Sequence, residues 1–293
     1  MAGCRSCPVY EPAAGFCDAV AGVFCMTPAE VAVRRVRQHF SRHAEEYDHY
    51  AMVQKSVVRR LLELMPSLTA DAGPVLDLGT GTGELADRFS TLHPHLPLLL
   101  ADIAHGMTRH AASSVPGALA FDADAAALPL LDDCCGLVLS SSMYQWVNDL
   151  PGAFVEVGRI LRPGGLFVCA LFGAGTLREL RTAHEQALVE CGQGHASHMQ
   201  QFPTREDVAA ALDAAGFAAE IEGNEEIERH PDVATLLHNL KRIGAQNASL
   251  RRSPGLAERR VTLRMMSLYA ERFGGDGTIP ASYEVICMVA RKL

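Results

Sequence analysis

From Val75 onward, short uninterrupted aliphatic runs alternate with longer segments in which apolar positions recur at helical spacing. Runs of this kind, bounded by turn residues, predict strands buried on both faces. They are Val75 to Leu78, Leu96 to Asp102, Ala120 to Asp124, Leu137 to Ser142 and Leu166 to Leu171. Alternation of strand and helix in this order predicts an α/β domain with a mostly parallel sheet and helices on both faces. Beyond Leu171 the spacing predicts a helix from about Arg178 to Cys191, then a polar stretch from Gly192 to Gln201. Thr204 caps a helix over Arg205 to Ala215, with Glu206 and Asp207 favouring its positive end and Gly216 stopping it. A sixth strand follows over Ala218 to Arg229, then helices over Asp232 to Ile243 and Ser253 to Phe273. Tyr283 to Arg291 predicts a seventh strand as an antiparallel edge. Upstream, Thr27-Pro28-Ala29-Glu30 is a helix-opening pattern, and Met52 to Met65 places Val53, Val57, Leu61 and Leu64 on one helical face.

Between the first strand and its helix lies Gly79-Thr80-Gly81-Thr82-Gly83. Glycines at alternate positions let a ligand approach the main chain, and the helix start behind them offers unpaired N–H donors. The spacing is G-x-G-x-G, unlike the G-x-G-x-x-G of dinucleotide binders. Asp77, just ahead of the turn, suits a cation better than a pyrophosphate. A donor with an amino group and a sulfonium, S-adenosylmethionine, fits these features. Asp102 ends the second strand, where an acid can take both ribose hydroxyls. Asp124 or its neighbouring backbone ends the third and can hold an adenine amino group. One such Asp would read equally well as a loop cap; acids at three successive strand ends argue for a cofactor site.

A net charge of -8 and a pI of about 5.8 exclude binding nucleic acid through a global basic field, though not through a local patch. No apolar run reaches the roughly eighteen residues of a membrane span. Nine cysteines, several at apolar positions such as Cys169 and Cys287, suit a reducing cytoplasm. Residues 1–27 read as a disordered cysteine-rich leader, and residues 28–293 as a single domain. Cys4-x-x-Cys7 has no second pair, and His195 with His198 has no third ligand, so no metal is expected. His184, His230 and His238 read as surface or capping groups.

The run from Val75 to Leu171, with its glycine turn and Leu161-Arg162-Pro163-Gly164-Gly165, resembles the class I S-adenosylmethionine-dependent methyltransferases. That resemblance implies a Rossmann-like sheet of seven strands with an inserted helical lid, here over about 173–203 and 231–273. The core then covers about 70–172 and 204–293. It also implies cofactor contacts from Tyr47, Asp77, Gly79, Thr80, Gly81, Gly83, Asp102, Ile103, Asp124, Ala125 and Ser140. Phe40 followed by Tyr47-Asp48 is similar to the N-terminal cover of small-molecule methyltransferases.

Further segments resemble the malonyl-[acyl-carrier-protein] O-methyltransferases of biotin synthesis. They are Phe40 to Asp48 with Gln54, Gly175 to Leu180, Asn239-Leu240-Lys241-Arg242-Ile243-Gly244-Ala245-Gln246-Asn247, and Ile279 to Glu284. Thr80 stands where that family usually has Cys, and Ala104-His105 where it has Ser-Pro. The resemblance implies methyl transfer to the free carboxylate of a malonyl thioester on an acyl-carrier protein. An ionised carboxylate needs no general base, so positioning by Tyr47, Gln145 and Trp146 is expected to suffice. Arg178 is expected to grip the carboxylate or the carrier's phosphate, and Arg178, Arg181, Lys241, Arg242, Arg251 and Arg252 to offer a basic face to the acidic carrier. A monomer is expected. Two readings stay open beside this one. They are another small-molecule methyltransferase, such as one acting on a quinone precursor, and a respiratory-complex assembly factor that modifies a protein arginine. The Trp146-Val147-Asn148-Asp149-Leu150-Pro151 segment resembles the latter group.

Overall fold

The computed structural model describes residues 31–68, 72–193, 199–243 and 256–293, with side chains from 259 in the last segment. The expectations placed on Cys4, Cys7, Thr27 to Glu30, His195, His198, Gly244 to Asn247, Arg251 and Arg252 lie outside the described residues. Three helices precede the sheet: α1 (Val33–His43), α2 (Tyr47–Tyr50) and α3 (Met52–Leu64). The aliphatic runs then become β1 (Val75–Leu78), β2 (Leu98–Asp102), β3 (Leu119–Asp122), β4 (Cys135–Ser141) and β5 (Leu161–Phe172). Between them run α4 (Glu84–Leu92), α5 (His105–Ser114) and α6 (Leu150–Ile160). The C-terminal part contributes α7 (Arg178–Glu190), α8 (Arg205–Ala214), β6 (Phe217–His230), α9 (Val233–Arg242), α10 (Leu256–Phe273) and β7 (Ile279–Lys292).

The sheet has seven strands in the order β3-β2-β1-β4-β5-β7-β6. Strands β1 to β5 pair in parallel, and β7 runs antiparallel between β5 and β6. The seventh strand is therefore antiparallel as expected but internal, and β6 forms the edge. Residue burial explains the exchange, because β7 is apolar along most of its length while β6 is largely exposed. The order reverses between β1 and β4, and crevices at such switch points hold ligands in open α/β sheets.

Successive residues along each central strand face opposite layers. Val75, Leu137, Val168 and Ala170 meet α3, α4, α7, α9 and α10, whereas Leu76, Val138, Phe167 and Cys169 meet α6 and α8. Phe167 centres the second layer, with its ring 5.7 Å from Tyr144, 5.3 Å from Phe154 and 5.9 Å from Phe217. The Leu161-Arg162-Pro163-Gly164-Gly165 turn is a bulged excursion inside β5. Leu161 pairs with Cys135 and Leu166 with Leu137, leaving Gly136 alone opposite the excursion. A Cβ on Gly136 would lie 1.5 Å from the Ala72 carbonyl oxygen, so only glycine fits there.

Local signals set several helix ends. Thr204 and Asp207 form a reciprocal capping box on α8, Asp149 caps α6, and Asp232 caps α9. His230 differs from its expected surface role, since it is buried at 3% exposure where β6 ends. We predict that Phe167→Ala lowers stability by about 3–5 kcal/mol, measured by denaturant unfolding, because its fully buried ring holds that aromatic cluster together.

Candidate active site

All three glycines of the turn after β1 have positive φ: 72° at Gly79, 57° at Gly81 and 96° at Gly83. They serve different ends. A Cβ on Gly79 would meet Met143 at 2.3 Å, and one on Gly83 would meet Val115 at 3.1 Å, so these two permit close packing. A Cβ on Gly81 meets nothing within 4 Å and would project into open space beside the cavity at the sheet's switch point. That cavity is lined by Asp77, Gly79 to Thr82, Asp102, Ile103 and Ala123 to Ala125.

Its electrostatics come from acids packed against apolar strand ends. Asp77 is 1% exposed, and burial raises its pKa to about 7 despite the hydrogen bond that Thr80 Oγ1 donates to Asp77 Oδ2 at 2.8 Å. Burial likewise raises Asp102 to about 6. Asp102 Oδ1 accepts from Ala104 N at 2.8 Å and Oδ2 from Gly81 N at 3.1 Å, which ties the second strand end to the glycine turn. The Asp102 carboxylate adds to the rise at Asp77, and the Asp122 carboxylate to the rise at Asp102. Asp124 Oδ1 accepts from Ala126 N at 3.0 Å, so it shapes its own loop while Ala125 follows at the wall.

The cover comes from α1 and α2. Thr82 Oγ1 donates to Asp48 Oδ1 at 2.7 Å, and Lys55 Nζ donates to the Asp48 carbonyl at 2.7 Å, pinning α2 across the glycine turn. Phe40 sits edge-on to Trp146 with ring centres 5.5 Å apart, and 6.3 Å from Tyr47. Burial, then Asp48 and Asp102, push the Tyr47 hydroxyl well above its ordinary pKa, so it stays protonated and able to donate.

A second cavity of about 370 Å³ adjoins the first. Phe40, Tyr47, Gln54, Ser142 and Trp146 line both, so these side chains form the shared wall. The second cavity is roofed by Leu180 and Arg181 of α7, Leu237 and Leu240 of α9, and Met265 of α10. Several expectations change here. Ser140 does not line the first cavity; its Oγ donates to the Leu78 carbonyl at 2.7 Å, stitching β4 to β1, and Ser141 and Ser142 face the cavity instead. Gln145 lines the second cavity but acts as a brace, donating to the Ser142 carbonyl at 2.7 Å. Arg178 lines neither cavity and is paired outside with Glu225, because one helical turn carries Arg181, not Arg178, inward. Arg242 also faces away, 2.7 Å from Glu46 and stacked over Tyr50, while Lys241 lines the second cavity. His184 lines it as well, contrary to its expected surface role, and His238 is exposed beside Tyr50.

A family model described as a methyltransferase domain matches residues 76–169. Solved structures share the fold. The YcgJ protein of Bacillus subtilis superposes with a TM-score of 0.56 at 17% identity, over 80% of this chain and 98% of that one. An S-adenosylmethionine-dependent methyltransferase from Thermotoga maritima gives 0.52 at 17% identity, over 88% and 100%. Among curated relatives, the malonyl-[acyl-carrier protein] O-methyltransferase of Geobacter sulfurreducens is 43% identical over 88% of this chain and 98% of its own length. Its namesake in Methylococcus capsulatus is 34% identical over 92% and 97%. This chain belongs to the malonyl-[acyl-carrier protein] O-methyltransferase family.

For a member of this methyltransferase family the cofactor is S-adenosylmethionine, and the first cavity fits it. Open backbone at Gly81 would serve as a cradle, and buried Asp77 with half-buried Asp102 would offer negative charge to a cationic donor. Asp48, Thr82 and Ser142 escaped the sequence reading as cavity-forming residues. Thr82 and Asp48 lie far apart in the chain, and their contact has no local signal. Ser142 carries one, since it directly follows a strand whose carboxyl end faces the crevice.

A carboxyl whose folded pKa exceeds its unfolded value (about 3.9) keeps a proton in the folded chain that the unfolded chain releases. In the free protein Asp77 therefore costs stability as pH rises from about 4 to about 7. A bound cation reverses this by favouring the ionised form. We predict that affinity for S-adenosylmethionine, measured by calorimetry, falls about tenfold from pH 7.5 to pH 6 as Asp77 and Asp102 protonate. Asp77→Asn should bind more weakly and with a shallower pH slope.

Proposed function

We propose that this chain transfers a methyl group from S-adenosylmethionine to the free carboxylate of a malonyl thioester carried by an acyl-carrier protein. The product is the malonyl methyl ester, the starting unit for a pimeloyl chain in biotin synthesis. The observation that carries the reading is a cavity holding Asp77, Asp102 and the glycine turn, joined to a second cavity through the shared wall of Phe40, Tyr47, Gln54, Ser142 and Trp146. Identity with the named relatives over nearly their whole length supports the same assignment.

The cofactor supplies an electrophilic methyl group: an O–CH3 bond forms, the S–CH3 bond breaks with its electron pair kept by sulfur, and no proton moves. The chain's task is therefore to bind, orient and keep dry. A carboxylate is ionised at neutral pH, so the acceptor needs no base. Tyr47 and Gln54 offer donors at the shared wall, and Phe40 with Trp146 excludes water from it. Opposite charges are lost together as the methyl group passes, so a low-dielectric wall favours the transition state over separated ions. Effective contact requires the acceptor oxygen roughly 3–3.5 Å from the methyl carbon. Fixing α2 to the glycine turn through Asp48 supports that alignment.

In this reading α7, α9 and α10 form the acceptor-side cover, and Lys241 at its rim meets the acidic carrier. Arg242 serves the cover by holding Glu46 instead of docking. The free thiols at Cys134, Cys135, Cys169, Cys191 and Cys287 accord with a reducing cytoplasm. No helix among the described residues is long and apolar enough to cross a membrane.

Incubation with S-adenosylmethionine and malonyl-carrier protein, followed by intact mass, should yield carrier heavier by one CH2, released as methanol on mild saponification. Unmodified carrier in the presence of measurable cofactor binding would reject the reading. Trp146→Ala is expected to lower kcat/KM at least about tenfold, measured in the same assay, by admitting water and loosening the wall. Lys241→Glu should raise KM for the carrier substrate several-fold at low salt, with a smaller effect at high salt and no change in cofactor affinity.

A further inference from the structure

The start of α7 is braced against β7. Thr176 is 1% exposed and exchanges hydrogen bonds with the Glu284 backbone, its Oγ1 donating to the carbonyl at 3.2 Å and accepting from N at 3.2 Å. Glu179 is also buried and accepts from Ser282 N at 3.2 Å and from Ser282 Oγ. One turn on, this rigid support carries Arg181 into the second cavity. Arg181 Nη2 donates to the Thr176 carbonyl at 3.4 Å. Its Nε is buried and has no hydrogen-bond partner. The surrounding wall is largely apolar, with Phe172, Leu180, Leu237, Leu240 and Met265.

A guanidinium N–H left unpaired among such side chains is costly unless an anion completes it. Guanidinium is also the cation best matched to a carboxylate. Resting on the carboxyl-methylation reading above, we propose that Arg181 recognises the acceptor's free carboxylate and makes this cavity selective for short half-thioesters of dicarboxylic acids over neutral acyl thioesters. The guanidinium grips one carboxylate oxygen while Nη2 keeps one N–H on the Thr176 carbonyl. The other oxygen keeps its lone pairs for the shared wall. Methylation then removes the charge that Arg181 holds, so the ester product is bound more weakly than the acid that entered.

The test uses the full chain saturated with S-adenosylhomocysteine and compares binding of malonyl-pantetheine with acetyl-pantetheine by calorimetry. Wild type should prefer malonyl roughly thirtyfold, the worth of one charge-assisted contact. Arg181→Met should bring malonyl-pantetheine to the acetyl level while S-adenosylhomocysteine affinity stays at the wild-type value. It should raise KM for malonyl-carrier more than it lowers kcat. If Arg181→Met does not bind S-adenosylhomocysteine, Arg181→Gln carries the same comparison with a neutral donor at the same place. A folded variant that keeps the malonyl preference, or a wild type without one, overturns the proposal. Wild-type chain that prefers malonyl-pantetheine through Arg181 but never methylates malonyl-carrier would instead overturn the functional reading and leave the carboxylate site standing.

Discussion

Two carboxylates at the ends of adjacent parallel strands, Asp77 buried and Asp102 half-buried, dominate this molecule. Asp77 and Asp102 are held where burial disfavours their ionised forms, and the charge on Asp102 makes that on Asp77 harder to bear. Thr80 and the amides of Gly81 and Ala104 offset part of that cost. A cationic ligand lying against the open backbone at Gly81 would relieve the remainder. The same feature that weakens the free fold near neutral pH would thus favour a sulfonium donor. The glycine turn, the position of the strand ends and the helix start behind them all serve this one electrostatic arrangement.

Around that anionic hollow the chain builds a partition. On one side lie Asp77, Asp102 and the glycine turn; on the other lies a chamber roofed by α7, α9 and α10, with Arg181 and Lys241 in its lining. Aromatic rings from α1 and from the segment after β4 close the boundary. Phe40 and Trp146 meet edge to face, with Tyr47 alongside Phe40. Such a division suits a reaction in which an anion and a cation neutralise one another, since the chemistry gains from dryness where charge disappears. It also explains why the wall needs shape and hydrogen-bond donors more than a proton acceptor.

The N-terminal cover is held by polar contacts at its margins as well as by the aromatic wall. Asp48 joins Thr82 and Lys55, and Arg242 joins Glu46 from the opposite side. Their arrangement couples the cofactor turn, the cover and α9 through a few hydrogen bonds and one exposed ion pair. An exposed pair of this type contributes little to stability. Its value here lies in orientation, because it brings the helix bearing Lys241 next to the helix bearing Tyr47.

Local pattern and spacing determined much of this protein. Aliphatic runs fixed the strands, Thr204 with Asp207 and Asp232 fixed helix starts, and Asp77, Gly81 and Asp102 marked the lining of the first cavity, because each of those effects acts within a few residues of chain. Helical phase near the second cavity was harder to read. Arg178 and Arg181 differ by one turn, and only the packing of α7 on β7 and α10 decides which faces inward. Ser140, beside Ser141 and Ser142, likewise goes to the sheet because the strand's twofold alternation and its register with β1 aim it at the Leu78 carbonyl. The inward place of β7, the Asp48–Thr82 clasp and the shared aromatic wall were set by tertiary structure alone, since each joins segments whose neighbourhood depends on how the whole sheet and its helices bury their apolar faces.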